Sequence, residues 1–386
     1  MKVLIVFGTR PEAIKLAPII HELQRRSHDG IQSVVCVTAQ HRHMLDQVLE
    51  LFGLKPDYDL DLMTDSQTPT SIAAAVLRGL APILRQERPD WVLVQGDTTT
   101  ALAAALAAMY AHVRIGHVEA GLRTFDKGQP FPEENNRCLI DRITDLFFAP
   151  TARSAANLRW EHVPAERILL TGNSVVDALN WARNQPPPNL STAGLGHIEA
   201  LAGRKRIIVV TTHRRENFGT PLEQICAALA EIAARYADVQ IVYPVHLNPL
   251  VWEPVHARLS GIANIALVAP LDYRVMVHML ERATLVLTDS GGLQEEAPCL
   301  GKPVLVLRAV TERQEGVEHG TVRVVGVERA LIVAEIALLL DDQAAYAAMA
   351  HASHLYGDGQ ASQRIVQALL DSTVKVASQP TEGIVV

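Results

Sequence analysis

Short apolar runs alternate with longer amphipathic segments along the first half of the chain. The apolar runs, rich in β-branched residues, predict strands at 2–7, 32–37, 91–95, 113–118 and 145–149. Between them, apolar residues recur at helical spacing near 12–27, 68–86, 98–111 and 151–160. Strands that are apolar on both faces are typical of a parallel sheet covered by helices on both sides. The pattern therefore predicts a doubly wound α/β domain.

This pattern stops at residues 184–196 and then starts again. The segment there, NQPPPNLSTAGLG, has three consecutive prolines and little that a core would bury. Further strands are predicted at 206–210, 239–245, 264–268, 284–289 and 303–307. We therefore expect an N-terminal Rossmann-like domain at 1–172 and a second at 173–357. A last helix, about 358–372, is expected to join the N-terminal domain, with a flexible tail at 373–386.

Composition and charge narrow the classes of function. Of the 386 residues, 48% are hydrophobic, which argues against a disordered chain. The 35 Lys and Arg residues are outnumbered by 42 Asp and Glu, giving a net charge of −7. Non-specific nucleic-acid binding depends on an excess of cations, so we expect no nucleic-acid partner. Any anionic ligand must meet a local basic site.

The cysteines and the N-terminus indicate a compartment. Four cysteines, Cys36, Cys138, Cys226 and Cys299, are widely spaced and form no CxxC pair. This spacing argues against a disulfide scaffold and a thiolate zinc site. No signal-peptide or membrane-span pattern is present, so a cytoplasmic protein without a membrane partner is expected.

Two cations follow the first predicted strand, in GTRPEAIK. Pro11 suits the first turn of a helix, which puts Arg10 at the junction and Lys15 one turn further on. A helix N-terminus with two cations is suited to an anion, although a solvated Arg and Lys are an equal alternative. No GxGxxG motif occurs here, so a nicotinamide cofactor is not expected.

A second set of polar residues follows strands in the second half. Ser290, Gly291 and Gly292 lie between a strand and a helix, where their backbone can approach a phosphate; a plain helix cap is the alternative. Glu296, one turn on, is placed to bind ribose hydroxyls. His213, followed by two arginines, and Arg313 add cations at predicted strand ends, where α/β sheets bind ligands.

Carboxylates form the third group. Asp97 and Glu119 each follow a strand, and Glu133 is expected in the loop that comes next. Each alone is explained by helix capping. Together, beside predicted cations, they favour acid–base catalysis. The chain has no HExxH, GxxxxGK[ST] or GxSxG motif, so no metal site is expected.

These segments together resemble one family. GTRPEAIKLAP, QGDTTTALAAALAA, GHVEAGLRT, FPEENNR, TTHRREN, YPVHLNP, DSGGLQEEAP and GKPVLVLR match, in order, the non-hydrolysing UDP-N-acetylglucosamine 2-epimerases. The resemblance implies a GT-B-like architecture, with two Rossmann-like domains and the active site in the cleft between them. It also implies a cytoplasmic homodimer that converts UDP-GlcNAc to UDP-ManNAc for polysaccharide precursor biosynthesis.

The resemblance also implies roles for individual residues. The carboxylates that flank the sugar, Asp97, Glu119 and Glu133, and His213 are expected to be catalytic, and Asp97 and Glu119 also to bind substrate. UDP binding is expected at Arg10, Lys15, His213, Leu271, Met276, Ser290, Gly291, Gly292, Glu296 and Arg313.

The expected chemistry is elimination and re-addition. The hydrogen on C2 is not adjacent to a carbonyl, so simple proton exchange is implausible. Expulsion of UDP from C1 with loss of the C2 proton would give a 2-acetamidoglucal, and re-addition would invert C2. Three alternatives stay open: a hydrolysing epimerase that releases ManNAc and UDP, a GT-B glycosyltransferase, and a non-catalytic sensor.

The resemblance also bears on how activity is regulated. In many bacterial members of the family a second UDP-GlcNAc activates the enzyme. Gln40, Glu133, Arg214 and His246 match positions attributed to that site, whereas His43 and Ser66 differ from the usual residues. A serine cannot replace the bidentate contact of an arginine to a diphosphate. We therefore predict weak or absent activation.

Overall fold

The structure, a computed structural model, describes residues 1–38, 42–62, 67–196 and 205–377, without the side chains of 42–44 and 373–377. It consists of two compact units. The first comprises Met1–Ala178 and Gly357–Val386, and the second comprises Leu179–Tyr356.

The first unit contains a parallel sheet in the order β3-β2-β1-β4-β5-β6-β7. Its strands are β1 (Lys2–Phe7), β2 (Gln32–Val37), β3 (Tyr58–Asp59), β4 (Trp91–Gln95), β5 (Arg114–Val118), β6 (Leu146–Ala149) and β7 (Ile168–Leu170). The helices that precede residue 184 are α1 (Arg10–Arg25), α2 (Arg42–Leu51), α3 (Pro69–Glu87), α4 (Thr99–Tyr110), α5 (Glu133–Ile143), α6 (Ala152–Trp160) and α7 (Ser174–Arg183).

The second unit contains a parallel sheet in the order β10-β9-β8-β11-β12-β13. Its strands are β8 (Arg206–Thr211), β9 (Val239–Pro244), β10 (Ile265–Val268), β11 (Leu285–Thr288), β12 (Val304–Val306) and β13 (Val322–Val324). Its helices include α8 (Thr220–Arg235), α9 (Pro249–Leu259), α10 (Tyr273–Arg282), α11 (Leu293–Cys299), α12 (Gln314–Glu318), α13 (Arg329–Asp341) and α14 (Gln343–Met349). The last helix among the described residues, α15 (Ala361–Ala377), belongs to the first unit and packs on α1.

The central strands are buried on both faces, as their apolar sequences predict. Every residue of β4 and β9 is buried. Space is tight on the first sheet at Gly116 in β5, where a Cβ would lie 2.5 Å from Leu93 Cδ2 on the neighbouring strand β4. The two parallel sheets confirm the predicted α/β class with two Rossmann-like, GT-B-like domains.

The predicted loop through Asn135 is wrong, because helix α5 begins at Glu133. Pro132 precedes the helix, and Glu133 and Glu134 lie in its first turn. The helix dipole favours acidic residues in the first turn, so the sequence of this segment does indicate the start of a helix. None of the described helices is long and apolar enough to cross a membrane.

Candidate active site

The strand order brings the carboxyl ends of β1, β4 and β5 together in the first unit. Glu119, directly after β5, is only 5% exposed and has a φ of +67°, which a non-glycine residue rarely adopts. Lys15 Nζ and Gln95 Nε2 both donate to its Oε2. Backbone strain of this kind is frequent at functional sites.

Asp97, after β4, is held by an arginine. Arg137 Nε and Nη2 lie 2.9 and 2.7 Å from its Oδ2, and Asn136 Nδ2 donates to its backbone carbonyl at 2.8 Å. The N-cap of α4 is Thr98, whose hydroxyl accepts from Ala101 N–H at 2.9 Å. Asp97 is therefore not the helix cap that was its simplest alternative explanation.

A buried glutamate joins the loop after β1 to the turn after β4. Glu12 accepts hydrogen bonds from Gly8 N–H at 3.1 Å, Thr9 N–H at 2.8 Å and the Thr98 hydroxyl at 2.7 Å. Burial raises the pKa of Glu12, and these donors offset part of that rise. The contact fixes the start of α1, where Arg10 lies, relative to the residue after Asp97.

His117, within β5, is fully buried between two oxygen acceptors. Its Nδ1 lies 2.6 Å from Asp141 Oδ1 and its Nε2 lies 2.8 Å from the Gly96 carbonyl oxygen. Burial would raise the pKa of Asp141, but His117 and Arg123 hold it below its usual value. Both ring nitrogens therefore donate. The ring holds the turn that precedes Asp97.

In the second unit, β8 lies beside β11 and their carboxyl ends carry His213 and Asp289. His213 Nδ1 is 2.8 Å from Asp289 Oδ1, and the ring is 39% exposed. Asp289 Oδ2 accepts from the backbone N–H groups of His213 and Arg214, each at 2.9 Å, and from Asn217 Nδ2 at 3.0 Å. Burial raises the pKa of Asp289, but His213 and these donors lower it, to about 2.

The glycine turn after β11 is covered by Arg313. A Cβ at Gly291 would lie 2.6 Å from Arg313 Nη1, so a side chain there would displace the guanidinium. Glu295 Oε1 accepts from Arg313 Nε at 2.6 Å, and Glu312 accepts from Nη1. Arg308 Nη1 donates to the same Glu312 at 3.1 Å. Arg313 is therefore a buried, orientated cation rather than a mobile one.

The other predicted nucleotide contacts lie next to this turn in sequence, on α10 or just before α10. Ser290 N–H donates to Thr288 Oγ1 at 2.9 Å. Glu296 Oε1 accepts from the Tyr273 hydroxyl at 2.7 Å. Leu271 is buried in the core of this unit, and Met276 packs against that core.

Two of the predicted regulatory residues lie next to His213. Arg214 follows it in sequence, and the ring of His246 stacks on His213 with centroids 6.4 Å apart. His246 Nδ1 accepts from Asn248 N–H at 3.1 Å. Gln40 and Ser66 lie outside the described residues, as does the side chain of His43.

Comparison with known proteins identifies the family of this chain. The family model for UDP-N-acetylglucosamine 2-epimerase matches residues 21–370. A Yersinia pestis UDP-N-acetylglucosamine 2-epimerase is 53% identical over 97% of this chain and 100% of its own length. The chain belongs to the UDP-N-acetylglucosamine 2-epimerase family.

Solved structures of this family have the same fold. The Neisseria meningitidis UDP-GlcNAc 2-epimerase bound to UDP-GlcNAc has a TM-score of 0.89 and 44% identity, covering 96% of this chain and all of its own. The S. aureus MnaA–UDP structure has a TM-score of 0.91 and 42% identity, covering 99% of both chains. Relatives of this epimerase family therefore bind UDP-GlcNAc and UDP.

Within the first unit, the structure brings Lys15 and Glu119 together, and within the second, Gly291 and Arg313. Sequence reasoning gave no role to the partners that orient these groups: Gln95, Arg137, His117, Asp141, Asp289 and Glu295. The available signal was a polar residue inside or directly after an apolar strand, as for His117 and Asp289. Across the described residues, no three His, Cys, Asp or Glu side chains are grouped to hold a metal ion.

Proposed function

We propose that this epimerase interconverts UDP-GlcNAc and UDP-ManNAc without hydrolysis. The observation that carries the proposal is the pair of cation-bound carboxylates at adjacent strand ends, Asp97 with Arg137 and Glu119 with Lys15. A sensor that only binds nucleotide sugars has no need of two orientated carboxylates. A glycosyltransferase needs an acceptor, whereas an epimerase needs groups that remove and return a proton at C2.

The proposed chemistry assigns the nucleotide to the second unit. The Ser290–Gly292 turn and Arg313 would bind the diphosphate, Glu296 the ribose, and Leu271 and Met276 the uracil side. In the elimination step the C1–O bond breaks and its electron pair stays on the diphosphate oxygen. His213 would donate a proton from Nε2 to that oxygen, which makes UDP a better leaving group.

The first unit would act on C2. Asp97 and Glu119, each orientated by a cationic partner, are the candidates to accept the C2 proton. Glu133, at the start of α5, is the remaining candidate for the donor on the opposite face. Re-addition of UDP to C1, with a proton delivered to that face of C2, completes the inversion. Arg10, at the start of α1, would neutralise charge on the diphosphate.

The deciding experiment is incubation with UDP-GlcNAc alone in heavy water. Proton and carbon NMR are expected to show UDP-ManNAc formation with deuterium at C2. Accumulation of free ManNAc and UDP would instead indicate a hydrolysing epimerase. Unchanged substrate would indicate a sensor or an acceptor-dependent transferase.

Three carboxyl variants sharpen this test. Asp97→Asn, Glu119→Gln and Glu133→Gln are expected to separate exchange at C2 from inversion, because each removes one proton carrier with little change in shape. If all three variants retain both exchange and epimerisation, the acid–base groups lie elsewhere in the chain.

We also propose weak or absent activation by UDP-GlcNAc. The basis is the sequence difference at Ser66 and His43, together with retention of Arg214 and His246 beside His213. Starting from pure UDP-ManNAc, conversion is expected without a lag. A long lag that a trace of UDP-GlcNAc abolishes would contradict this proposal.

The proposed homodimer is supported by exposed apolar side chains on neighbouring helices of the first unit. Tyr110, the last residue of α4, is 69% exposed, and Leu139 on α5 is 53% exposed. Large exposed apolar side chains are common at subunit interfaces. Sedimentation at micromolar concentration is expected to give a dimer, and a monomer there would overturn the proposal.

A further inference from the structure

The carboxylate of Asp289 is the attachment point for the segment that carries His213. It is fully buried and accepts hydrogen bonds from two successive backbone N–H groups, those of His213 and Arg214. It also accepts from Asn217 Nδ2 and faces His213 Nδ1 at 2.8 Å. These contacts fix the segment after β8 against the turn after β11.

The partner of Nδ1 decides which ring nitrogen carries the proton. An ionised carboxylate only accepts hydrogen bonds, so His213 Nδ1 must carry a hydrogen in both charge states of the ring. A neutral ring then has its lone pair on Nε2, and a charged ring has an N–H there. Within the described residues Nε2 has no hydrogen-bond partner, and the ring is partly exposed. Nε2 is therefore the nitrogen available to a ligand.

The other groups around the ring leave this assignment in place. The His246 ring stacks on His213, and its Nδ1 is occupied as an acceptor from Asn248 N–H. Arg214 is the adjacent charged residue on the same segment and does not donate to Nδ1 in any described contact.

We propose that Asp289 is a positioning residue for His213, which fixes Nδ1 as the protonated nitrogen and confines proton transfer to Nε2. This inference rests on the proposed function, in which His213 protonates the leaving diphosphate. During elimination, the Nε2 proton passes to the diphosphate oxygen as the C1–O bond breaks, and the ring becomes neutral with its hydrogen on Nδ1. Re-addition returns the proton to Nε2. Asp289 stays ionised throughout and stabilises the charged ring.

The variant that tests the proposal is Asp289→Asn, which keeps the shape but removes the charge and offers an amide N–H₂ group to Nδ1. We expect kcat to fall by roughly 10²-fold, since the imidazolium is destabilised and the other tautomer is favoured. The KM for UDP-GlcNAc and the Kd for UDP are expected to change by less than about threefold, because binding of the ground state does not need the proton. A normal kcat in this variant would overturn the proposal.

Asp177 provides a matched control. Its partly buried carboxylate also accepts from two backbone N–H groups, those of Ala361 and Ser362, but it faces no histidine in the described contacts. Asp177→Asn is therefore expected to lower stability while leaving kcat unchanged. An equal loss of kcat in both variants would show that Asp289 acts only through folding.

Nitrogen NMR of the wild-type protein tests the tautomer directly, even if Asp289→Asn does not fold. The His213 signals are assigned by their loss in His213→Gln. The Nδ1–H form is expected, and the Nε2–H form of the neutral ring would overturn the proposal. If His213→Gln keeps full turnover, the proposed acid role of His213 fails, whereas the NMR result still decides what Asp289 does.

Discussion

Each unit contains a histidine paired with a buried aspartate, and the two pairs differ in what the second ring nitrogen does. In the first unit, His117 is fully buried, and its nitrogens are taken up by Asp141 at 2.6 Å and the Gly96 carbonyl at 2.8 Å. In the second, His213 is bonded through Nδ1 to Asp289, and its ring is 39% exposed. Both ring nitrogens of His117 are bonded within the protein. Only Nδ1 of His213 is bonded within the described residues, so its Nε2 is accessible to a ligand.

This difference in the second ring nitrogen distinguishes a structural histidine, which holds a turn, from a histidine that can take part in a reaction. His117 has no nitrogen left to exchange a proton, so its contribution is to fix Gly96 and, through it, Asp97. His213 is fixed at one end only, which is the arrangement that a proton donor requires. The residue pair is the same in both units, and the fate of the second nitrogen distinguishes their functions.

The largest expected effect is on stability, at His117. His117→Ala removes the buried donor to the Gly96 carbonyl and one of the buried partners of Asp141, which keeps Arg123 at 2.6 Å, and each such loss costs about 1–3 kcal/mol. His213→Ala removes one partner of the buried Asp289, which keeps three other hydrogen-bond donors, so a smaller cost of about 1–2 kcal/mol is expected. Urea unfolding of both variants measures the two costs. Equal losses of unfolding free energy would contradict the conclusion that His117 contributes more to stability than His213.

Turnover is expected to show the opposite ranking. His213→Ala should lower kcat by roughly 10²-fold, because the leaving diphosphate loses its proton donor. The variant should still bind UDP, which calorimetry can check, since the Ser290–Gly292 turn and Arg313 are retained. Near-normal turnover would rule out the acid role and leave His213 as another structural histidine.

Acid should weaken the second pair in a defined window. The pKa of Asp289 is lowered from 3.8 to about 2, so its ionised form stabilises the fold by about 2 kcal/mol at neutral pH. Below pH 4 the unfolded chain binds this proton and the folded protein does not, so the stabilisation declines and is lost as the pH falls through 2. The unfolding free energy of wild type minus that of Asp289→Asn, measured from pH 6 downwards, should shrink over this range. A pH-independent difference would contradict the assignment.

The smallest expected effect is the loss of stability when an exposed carboxylate is removed, and it serves as a baseline for the buried ones. Asp238 pairs with Arg206 at 2.7 Å, but the two side chains are 56% and 32% exposed. Exposed pairs contribute little because water and salt screen them, so Asp238→Asn is expected to change stability by less than about 1 kcal/mol. A larger change in the free energy of unfolding would mean that exposure does not separate the weak ion pairs of this protein from the strong ones.

The strands could be predicted where they are buried and not where they are short. The apolar runs of the central strands give their positions within about two residues. The three strands absent from the prediction are β3 (Tyr58–Asp59), β7 (Ile168–Leu170) and β13 (Val322–Val324), each at the edge of a sheet. β3 and β13 have no continuous apolar run, and the three apolar residues of β7 are too few to distinguish a strand from a loop, so pairing with the neighbouring strand defines these edges.

The candidate site was predictable in its reactive groups and not in their partners. Asp97 and His213 follow strands, which is visible in the sequence. Arg137 lies 40 residues after Asp97, and Asp289 lies 76 residues after His213. Only the strand and helix order brings these partners together, and no local pattern encodes it. The partners decide the charge and orientation of each reactive group.

The two glycines of the turn after β11 differ in what constrains them. At Gly291 a methyl group would lie 2.6 Å from Arg313 Nη1, so any other residue would displace that guanidinium even without a ligand. At Gly292 the backbone is helical, with a φ of −61°, and a methyl group would meet nothing closer than 3.9 Å. An alanine at 292 is therefore compatible with the folded chain. If a library of variants selected for activity contains no alanine at 292, the alanine must clash with a bound molecule and not with the protein. The residues tolerated at this one position would then show that a ligand lies against it.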